Sequence, residues 1–212
     1  MAFGVFACAR TPNDETEIAQ SVVRIAGTAC LKPILGTGAV VDNDWVVTSA
    51  HVIAGAGPDL RVITLDGAEV PVEVVGFDPE KDIALLLAVD LAAPSLRFSS
   101  AQSGTQGVIA AVTAGIELNL IEYRVNRKVL VKISNIYDEG EFDREALDIE
   151  ASGVGPGVSG APLLDEAGAM VGMFFAHSRE REGGAYALDA SEIEAFLEKI
   201  GEGPVDRGRC RG

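Results

Sequence analysis

The stretch Trp45–Val52, WVVTSAHV, decides how the rest of the chain is interpreted. Its first four residues, Trp45–Thr48, are aromatic or β-branched, which is the composition of a half-buried strand. Small residues and His51 follow directly. Upstream, Gly38–Val41 is a second apolar run, and the polar residues Asp42–Asp44 between the two runs favour a turn. The sequence therefore predicts an antiparallel hairpin that carries a histidine at one end.

Outward from this hairpin, short runs rich in Val and Ile recur roughly every 8–12 residues. This spacing is typical of sandwiches and barrels and not of βαβ units, so the predicted fold class is all-β. The predicted strands are Ser21–Ile25, Gly38–Val41, Trp45–Thr48, Leu60–Leu65, Glu69–Val75, Ile83–Ala88, Val129–Ile133, Leu147–Ala151 and Ala169–Phe175.

One helix is predicted near the C-terminus. Ser191 is its expected N-cap, Glu194 completes a capping box, and Gly201 ends it. Its apolar stripe, expected to pack on a barrel, is Ile193, Phe196, Leu197 and Ile200.

Loops are indicated by composition. Pro94–Gly107 is rich in Ser, Gly and Gln, as expected of a connection between two halves of the chain. Tyr137–Glu145 and Ser178–Gly184 are charged and are predicted to be solvated loops.

The charge balance excludes some classes of function. Seventeen basic against 32 acidic residues give a net charge of −15 over 212 residues. That charge repels phosphates and anionic lipids, so neither nucleic acid nor a membrane surface is an expected partner. No apolar run approaches the roughly 20 residues of a membrane span. The short run Phe3–Ala9 has two interpretations, the remnant of a removed upstream segment or an ordinary N-terminal strand.

Three short patterns carry side chains capable of chemistry. The first is the His51 segment. The second is Asp82–Leu86, DIALL, an acid at the start of a buried strand. The third is Gly155–Pro162, GPGVSGAP, which places Ser159 in a glycine-rich loop. Each pattern alone is weak, because apolar strands often begin with Asp and glycine-rich loops often contain Ser.

Together, in the order His, Asp, Ser, the patterns resemble the chymotrypsin-like (trypsin-like) serine proteases. The HtrA-type and actinobacterial membrane-anchored periplasmic members are the most similar, and Gly36–Val40, GTGAV, adds to the resemblance. The resemblance extends over about residues 18–197. It implies two antiparallel β-barrels, residues 18–96 with the His and Asp and residues 97–190 with the Ser, followed by a C-terminal helix and tail over 191–212.

The resemblance also implies a catalytic triad of His51, Asp82 and Ser159. A serine hydroxyl needs a neighbouring base, which His51 would supply before protonating the leaving amine. Asp82 would hold the imidazole tautomer. The backbone N–H groups of Gly157 and Ser159 would form the oxyanion hole.

Two competing assignments are weaker. Asp78 precedes Pro79 and is interpreted as a turn residue. Ser152 lacks the downstream Gly-Ala-Pro that follows Ser159.

Three departures from the family pattern bear on activity, and two of them, Val158 and Ala161, motivate an alternative. Val158 stands where the family has Asp or Asn, so activation by an inserted N-terminal amine is not expected. Ala161 replaces a glycine, and Met173–Ala176 lacks the serine that supports the catalytic Asp in the family. The alternative is a protease-fold binding or regulatory domain with weak or no activity. An α/β-hydrolase is disfavoured, because it needs βαβ units and a later Asp and His, and only His177 follows.

Specificity is predicted from the residues around the expected pocket. Ser152–Gly155 contains no Asp to pair with a basic side chain. Phe175 and Ala176 are its expected wall, with His177 either a further substrate-binding residue or an exposed loop residue. An apolar or small residue at the cleavage site is therefore predicted, in protein or peptide substrates.

The cysteines give a prediction about compartment. By the resemblance, Cys30 and Cys210 form a disulfide, Cys8 is unpaired, and free buried thiols are the alternative. The wide spacing of the cysteines fits no zinc site, and no metal or organic cofactor is predicted. A disulfide implies an extracytoplasmic location: periplasm, cell envelope or outside. Tethering by a missing upstream segment is left open.

Overall fold

The computed structural model describes residues 15–42, 44–178, 181–201 and 203–211. Phe3–Ala9, including Cys8, and Asn43 of the predicted turn lie outside these residues. The all-β prediction is confirmed, with two barrel-like sheets and a C-terminal helix. None of the helices among the described residues is long and apolar enough to span a bilayer.

The first sheet holds the predicted histidine hairpin and has seven strands, in the order β7-β6-β1-β4-β5-β9-β8. Its two edge strands, β7 and β8, are separated in sequence by Val72 alone, so the sheet must curl back on itself. The predicted single strand Glu69–Val75 is therefore wrong; it is two strands. The elements of this half are α1 (Glu15–Ser21), β1 (Val22–Ala26), β2 (Thr28–Ala29), β3 (Lys32–Pro33), β4 (Gly36–Asp42), β5 (Trp45–Thr48), α2 (Ala50–Ile53), β6 (Arg61–Ile63), β7 (Glu69–Pro71), β8 (Glu73–Asp78) and β9 (Ile83–Leu87).

The second sheet closes into a barrel in the order β10-β11-β12-β15-β14-β13. Sequence reasoning missed three of its strands and much of the long β11–β12 hairpin. The prediction of a solvated loop over Tyr137–Glu145 is wrong at its C-terminal end, because β12 begins at Phe142 and Arg144 is buried. The strands are β10 (Gln106–Val112), β11 (Leu118–Ile133), β12 (Phe142–Ala151), β13 (Pro162–Asp165), β14 (Met170–His177) and β15 (Gly184–Asp189).

The C-terminal helix, α3 (Ala190–Leu197), exists as predicted, but its N-cap differs. The cap is Asp189, whose side chain accepts a hydrogen bond from the Ser191 N–H at 3.0 Å. A carboxylate two residues earlier thus takes the place assigned to Ser191, so the predicted capping box with Glu194 is wrong. The apolar stripe still packs as expected: Ile193 is fully buried.

A shared apolar cluster joins the two sheets. It includes Val47 and Leu85 from the first sheet, Val112 and Met173 from the second, and Ile193 from α3. Because both sheets bury side chains in this cluster, it fixes how the two sheets pack against each other.

The predicted Cys30–Cys210 disulfide is confirmed and joins residues 180 apart. It pins the C-terminal tail to the β2–β3 hairpin beside Gly55, whose N–H bonds the Arg207 carbonyl at 3.0 Å. Arg207 adds a hydrogen bond to the Gly57 carbonyl at 2.7 Å. The tail is therefore anchored next to the helical turn that carries His51.

Replacing both disulfide cysteines by serine is expected to lower the free energy of unfolding by up to about 5 kcal/mol, the chain-entropy value for so long a loop. Urea unfolding in a Cys8→Ser background measures the loss without thiol exchange. Reductant should bring the parent protein to the same stability as the double variant. Equal stability of the oxidised and reduced parent would contradict this expectation.

Candidate active site

His51 lies in α2, a short helical turn that follows the buried strand β5. The side chain of Ser49, at the N-cap position, makes no capping hydrogen bond. The carboxylate of Asp82, 31 residues further along the chain, caps the turn instead: its Oδ1 accepts a hydrogen bond from the His51 backbone N–H at 2.8 Å. The orphan donors of a first helical turn need such an acceptor. Asp82 therefore fixes the backbone that carries His51.

The same carboxylate holds the imidazole ring. Asp82 Oδ2 lies 2.7 Å from His51 Nδ1, and the Asp82 residue is 4% exposed. The contact makes Nδ1 the protonated nitrogen of neutral His51 and leaves Nε2 as the basic one. Asp78 does not reach the ring; its Oδ1 accepts the N–H groups of Glu80 and Lys81, as a turn residue does.

The Ser159 loop docks on the strands of the first sheet. The Ser159 carbonyl accepts the Thr37 N–H at 2.9 Å, and the Thr37 hydroxyl donates to the Gly157 carbonyl at 2.8 Å. Thr37 belongs to β4, which pairs with β5 next to the His51 turn. Half-buried Ser159 is thus held at the cleft, whereas the competing Ser152 is exposed.

Gly160 allows the closest approach between this loop and the first sheet. A Cβ there would lie 2.3 Å from both the Thr37 carbonyl oxygen and the Thr48 hydroxyl, and 3.0 Å from the Ser49 nitrogen. Its φ of +82° also disfavours any side chain. Thr48 and Ser49 directly precede the His51 turn, so Gly160 sets the spacing between the serine loop and the histidine turn.

Gly160→Ala is therefore expected to push the loop away and lower kcat/KM for peptide hydrolysis by about 100-fold or more. Gly155→Ala in the same loop is the matched control, because a Cβ there meets nothing within 4 Å. Steady-state kinetics on both variants, with thermal unfolding to check the fold, tests this. Equal activity of the two variants would contradict the proposed spacing role.

The two residues that depart from the family pattern are both buried. Val158 is 3% exposed within the core of the second barrel, and Ala161 is fully buried. The Ala161 N–H bonds the Val158 carbonyl at 2.9 Å, which closes the turn around Ser159. Apolar packing of Val158 thus fixes this loop where the family pattern has a polar side chain.

The strand expected to bind substrate is the end of β14. Its ladder with β13 ends at Met173, while its ladder with β15 continues to His177. The Phe174 ring is buried and meets the exposed His177 ring edge-on, with centroids 5.2 Å apart. The Phe175 ring packs instead beside Tyr186 and beneath the guanidinium of Arg144.

Comparisons with known proteins settle the family. The model of the trypsin-like peptidase domain matches residues 36–173. The chain belongs to this family of trypsin-like peptidases. The sequence-based prediction of a trypsin-like serine protease domain is therefore confirmed.

Among the described residues, no cluster of three or more His, Cys, Asp or Glu side chains could hold a metal ion.

Relatives of this trypsin-like domain include the serine protease Rv3671c of Mycobacterium tuberculosis H37Rv, 33% identical over 198 residues, which are 90% of this chain and 49% of the relative. The crystal structure of Rv3671c in its active form matches with a TM-score of 0.88 at 31% identity, covering 95% of this chain and 90% of that one. Its inactive form matches with a TM-score of 0.76 at 30% identity, covering 88% and 92%.

A probable periplasmic DegP-like serine endoprotease of Brucella suis is 29% identical over 182 residues, covering 82% of this chain and 34% of the relative. The chain thus spans about half the length of Rv3671c and about a third of the DegP-like protein.

A buried carboxylate that sequence reasoning missed holds the loop after β14. Asp148, 3% exposed, pairs with Arg181 of the predicted loop Ser178–Gly184 and, at 3.3 Å, with Arg127. Arg181 also donates to the Ile149 carbonyl at 3.1 Å. The hydrogen bond from Arg181 is the largest cause that lowers the pKa of Asp148. The sequence analysis interpreted this charged loop as solvated, because no local pattern identifies a partner as distant in sequence as Asp148.

This pair makes part of the stability depend on pH. Folding lowers the pKa of Asp148. Its contribution to the free energy of unfolding is therefore fully present above the ordinary pKa of 3.8, and it is lost as the pH falls through the lower pKa of the folded state. Asp148→Asn is expected to cost about 1–2 kcal/mol at pH 7, and the cost should decrease as the pH falls below 3.8. Urea unfolding across pH 2–7 tests this, with exposed Glu166→Gln as control. A constant difference across that range would contradict the linkage.

Proposed function

We propose that this chain is a serine endopeptidase domain in which Ser159, His51 and Asp82 cleave peptide bonds through an acyl-enzyme. The observation that carries the proposal is the 2.7 Å contact of Asp82 Oδ2 with His51 Nδ1, beside the docked Ser159 loop. The similarity to the active form of Rv3671c, with a TM-score of 0.88, supports peptidase activity.

In the proposed reaction, His51 Nε2 takes the proton of the Ser159 hydroxyl as its oxygen attacks the scissile carbonyl carbon. The N–H groups of Gly157 and Ser159 stabilise the oxyanion. Protonated His51 then gives its proton to the leaving amine, and the C–N bond breaks. Water, deprotonated by His51, hydrolyses the ester and restores the serine. Asp82 stabilises the imidazolium at each stage without taking a proton.

For the substrate, we propose an extended peptide with an apolar or small residue before the scissile bond. Beyond Phe174, whose N–H and carbonyl bond to Ala161 and Gly160 of the serine loop, the edge of β14 suits an added strand, which fits substrate-binding roles for Ala176 and His177. Phe175 contributes its backbone to the proposed wall, because its ring packs beside Tyr186 and Arg144. No acidic residue occurs in Ser152–Gly155. A peptide-library profile dominated by Arg or Lys would contradict this specificity.

We place this activity outside the cytoplasm. A disulfide persists in oxidising compartments, and the DegP-like relative is named as periplasmic. Proteins or peptides are the proposed partners. The charge of −15 disfavours nucleic acid, and no membrane contact is proposed for the domain itself.

A fluorophosphonate probe tests the proposal, because it reacts with an activated serine and not with an ordinary hydroxyl. The purified protein should be labelled at Ser159, and Ser159→Ala should abolish labelling. An unlabelled but folded parent would instead favour the alternative, a protease-fold binding or regulatory domain motivated by Val158 and Ala161.

A further inference from the structure

Arg144 of β12 is a buried cation at the contact between the two barrels, only 3% exposed. Its Nε donates to the Glu80 carbonyl at 2.6 Å and its Nη2 to the Ser134 carbonyl at 3.2 Å. The guanidinium carbon lies 5.6 Å from the centre of the Phe175 ring. All three partners are uncharged. A buried cation with only uncharged partners still needs a negative charge nearby, because burial has removed the water that hydrated it.

The opposite charge comes from the turn that carries Asp82. Asp82 and Asp78 of this turn, together with Glu192 of α3, favour the charged guanidinium, although burial lowers the pKa of Arg144. The effect is mutual, since a cation that Asp82 stabilises in turn stabilises the Asp82 anion. Asp82 is itself buried, and its two oxygens face only His51 among their described hydrogen-bond partners.

The Asp82 turn also depends on the second barrel for its shape. Asp82 has a φ of +60°, an uncommon conformation for a residue with a side chain, so its surroundings must hold it there. Two successive residues of the turn are held by two successive residues of β12. Arg144 bonds the Glu80 carbonyl, and Lys81 Nζ bonds the Asp143 carbonyl at 2.7 Å and Glu192 at 2.8 Å.

We propose that Arg144 is a positioning residue for Asp82, holding the turn that bears the carboxylate and placing a positive charge near it. The family has a serine on the strand Met173–Ala176 that supports the catalytic Asp, and this chain lacks it. Phe175 lies on that strand, with its ring against the Arg144 guanidinium. The inference rests on the proposed peptidase function, because it assigns the support of the group that orients His51.

The charge of Arg144 should be visible in the titration of His51. A nearby cation disfavours the imidazolium, so the charge of Arg144 opposes protonation of His51. The charged groups facing Arg144 are Asp78 and Asp82 of the turn and Glu192 of α3, which also pairs with Lys81. Neutralising Arg144 removes this cation and should move the titration of His51 to higher pH.

The test compares Arg144→Gln, which stays polar but loses the charge, with Arg144→Lys, which keeps it. Exposed Arg124→Met is the control for removing a charge from the same barrel. For Arg144→Gln we expect kcat for a peptide substrate to fall at least about tenfold with little change in KM. The acid limb of the pH–rate profile should move up by about half a pH unit or more. Arg144→Lys should leave the limb in place, with a smaller loss in kcat.

A second readout needs no catalysis. The chain has two histidines, so NMR titration of His51, assigned with His177→Gln, follows its protonation directly. A raised His51 midpoint in Arg144→Gln, but not in Arg144→Lys, supports the role of Arg144 whether or not the protein cleaves peptides. Absence of peptidase activity would contradict the proposed function alone. An unchanged His51 midpoint in a folded, active Arg144→Gln protein overturns the inference. If Arg144→Gln does not fold, a raised midpoint in Arg144→Lys overturns it.

Discussion

Ser159→Ala is expected to lower kcat for peptide hydrolysis by about 10⁶-fold, the scale seen when the nucleophile of a serine protease triad is removed. The hydroxyl is the only group that can form the acyl-enzyme, so no residual covalent route remains. Binding should change little, because the contacts that hold this loop use the Ser159 carbonyl and the Thr37 N–H rather than the hydroxyl. Single-turnover kinetics and thermal unfolding would separate the loss of chemistry from any loss of fold.

Ser152→Ala supplies the matched control for this prediction. Ser152 is the other serine near the loop, it is exposed, and it lies outside the docked turn. Its replacement should leave kcat within about twofold, as for most surface substitutions. Substantial hydrolysis by Ser159→Ala, or its loss in Ser152→Ala, would contradict the assignment of the nucleophile.

Asp82→Asn is expected to lower kcat by about 10⁴-fold while preserving the fold. An amide can no longer accept from both the backbone N–H and the Nδ1–H of His51 in the present geometry. If its NH₂ group faces the ring, the imidazole must place its proton on Nε2, where it cannot accept the proton of Ser159. The wrong tautomer, rather than a lost contact energy, is the reason for the size of the effect.

Asp78→Asn is the control for the Asp82 variant. Asp78 bonds two backbone N–H groups of the same turn, and an asparagine carbonyl can still accept them. Its kcat should stay within about tenfold of the parent. Measuring kcat for both variants on one peptide distinguishes the two acids. A larger loss for Asp78→Asn would contradict the role given to Asp82.

Local patterns in the sequence predicted the parts of the molecule that local chemistry determines. The β4–β5 hairpin follows from β-branched runs around a polar turn, and the pairing of Asp82 rather than Asp78 with His51 follows from the motif in which each acid lies. The Cys30–Cys210 bond was accessible only through family resemblance, since spacing alone does not choose a partner.

Residues whose partners lie far away in sequence were missed. Arg144 sits in a run of charged residues that reads as a solvated loop, yet its partner Glu80 is 64 residues away, in the other half of the molecule. The pair formed by Asp148 and Arg181 was missed for the same reason, because 33 residues separate the two in sequence. The N-cap of α3 was displaced because Asp189, at the end of β15, is a better acceptor for the first helical turn than Ser191.

The most direct test of the account is a crystal structure of the protein treated with a peptidyl chloromethyl ketone that carries an apolar residue at the cleavage position. Such a reagent forms a bond to both a serine and a histidine only when the two share one catalytic cleft. We expect bonds to Ser159 Oγ and His51 Nε2, with Asp82 still on Nδ1. An adduct at other residues, or at His51 with Ser159 left free and distant, would contradict it.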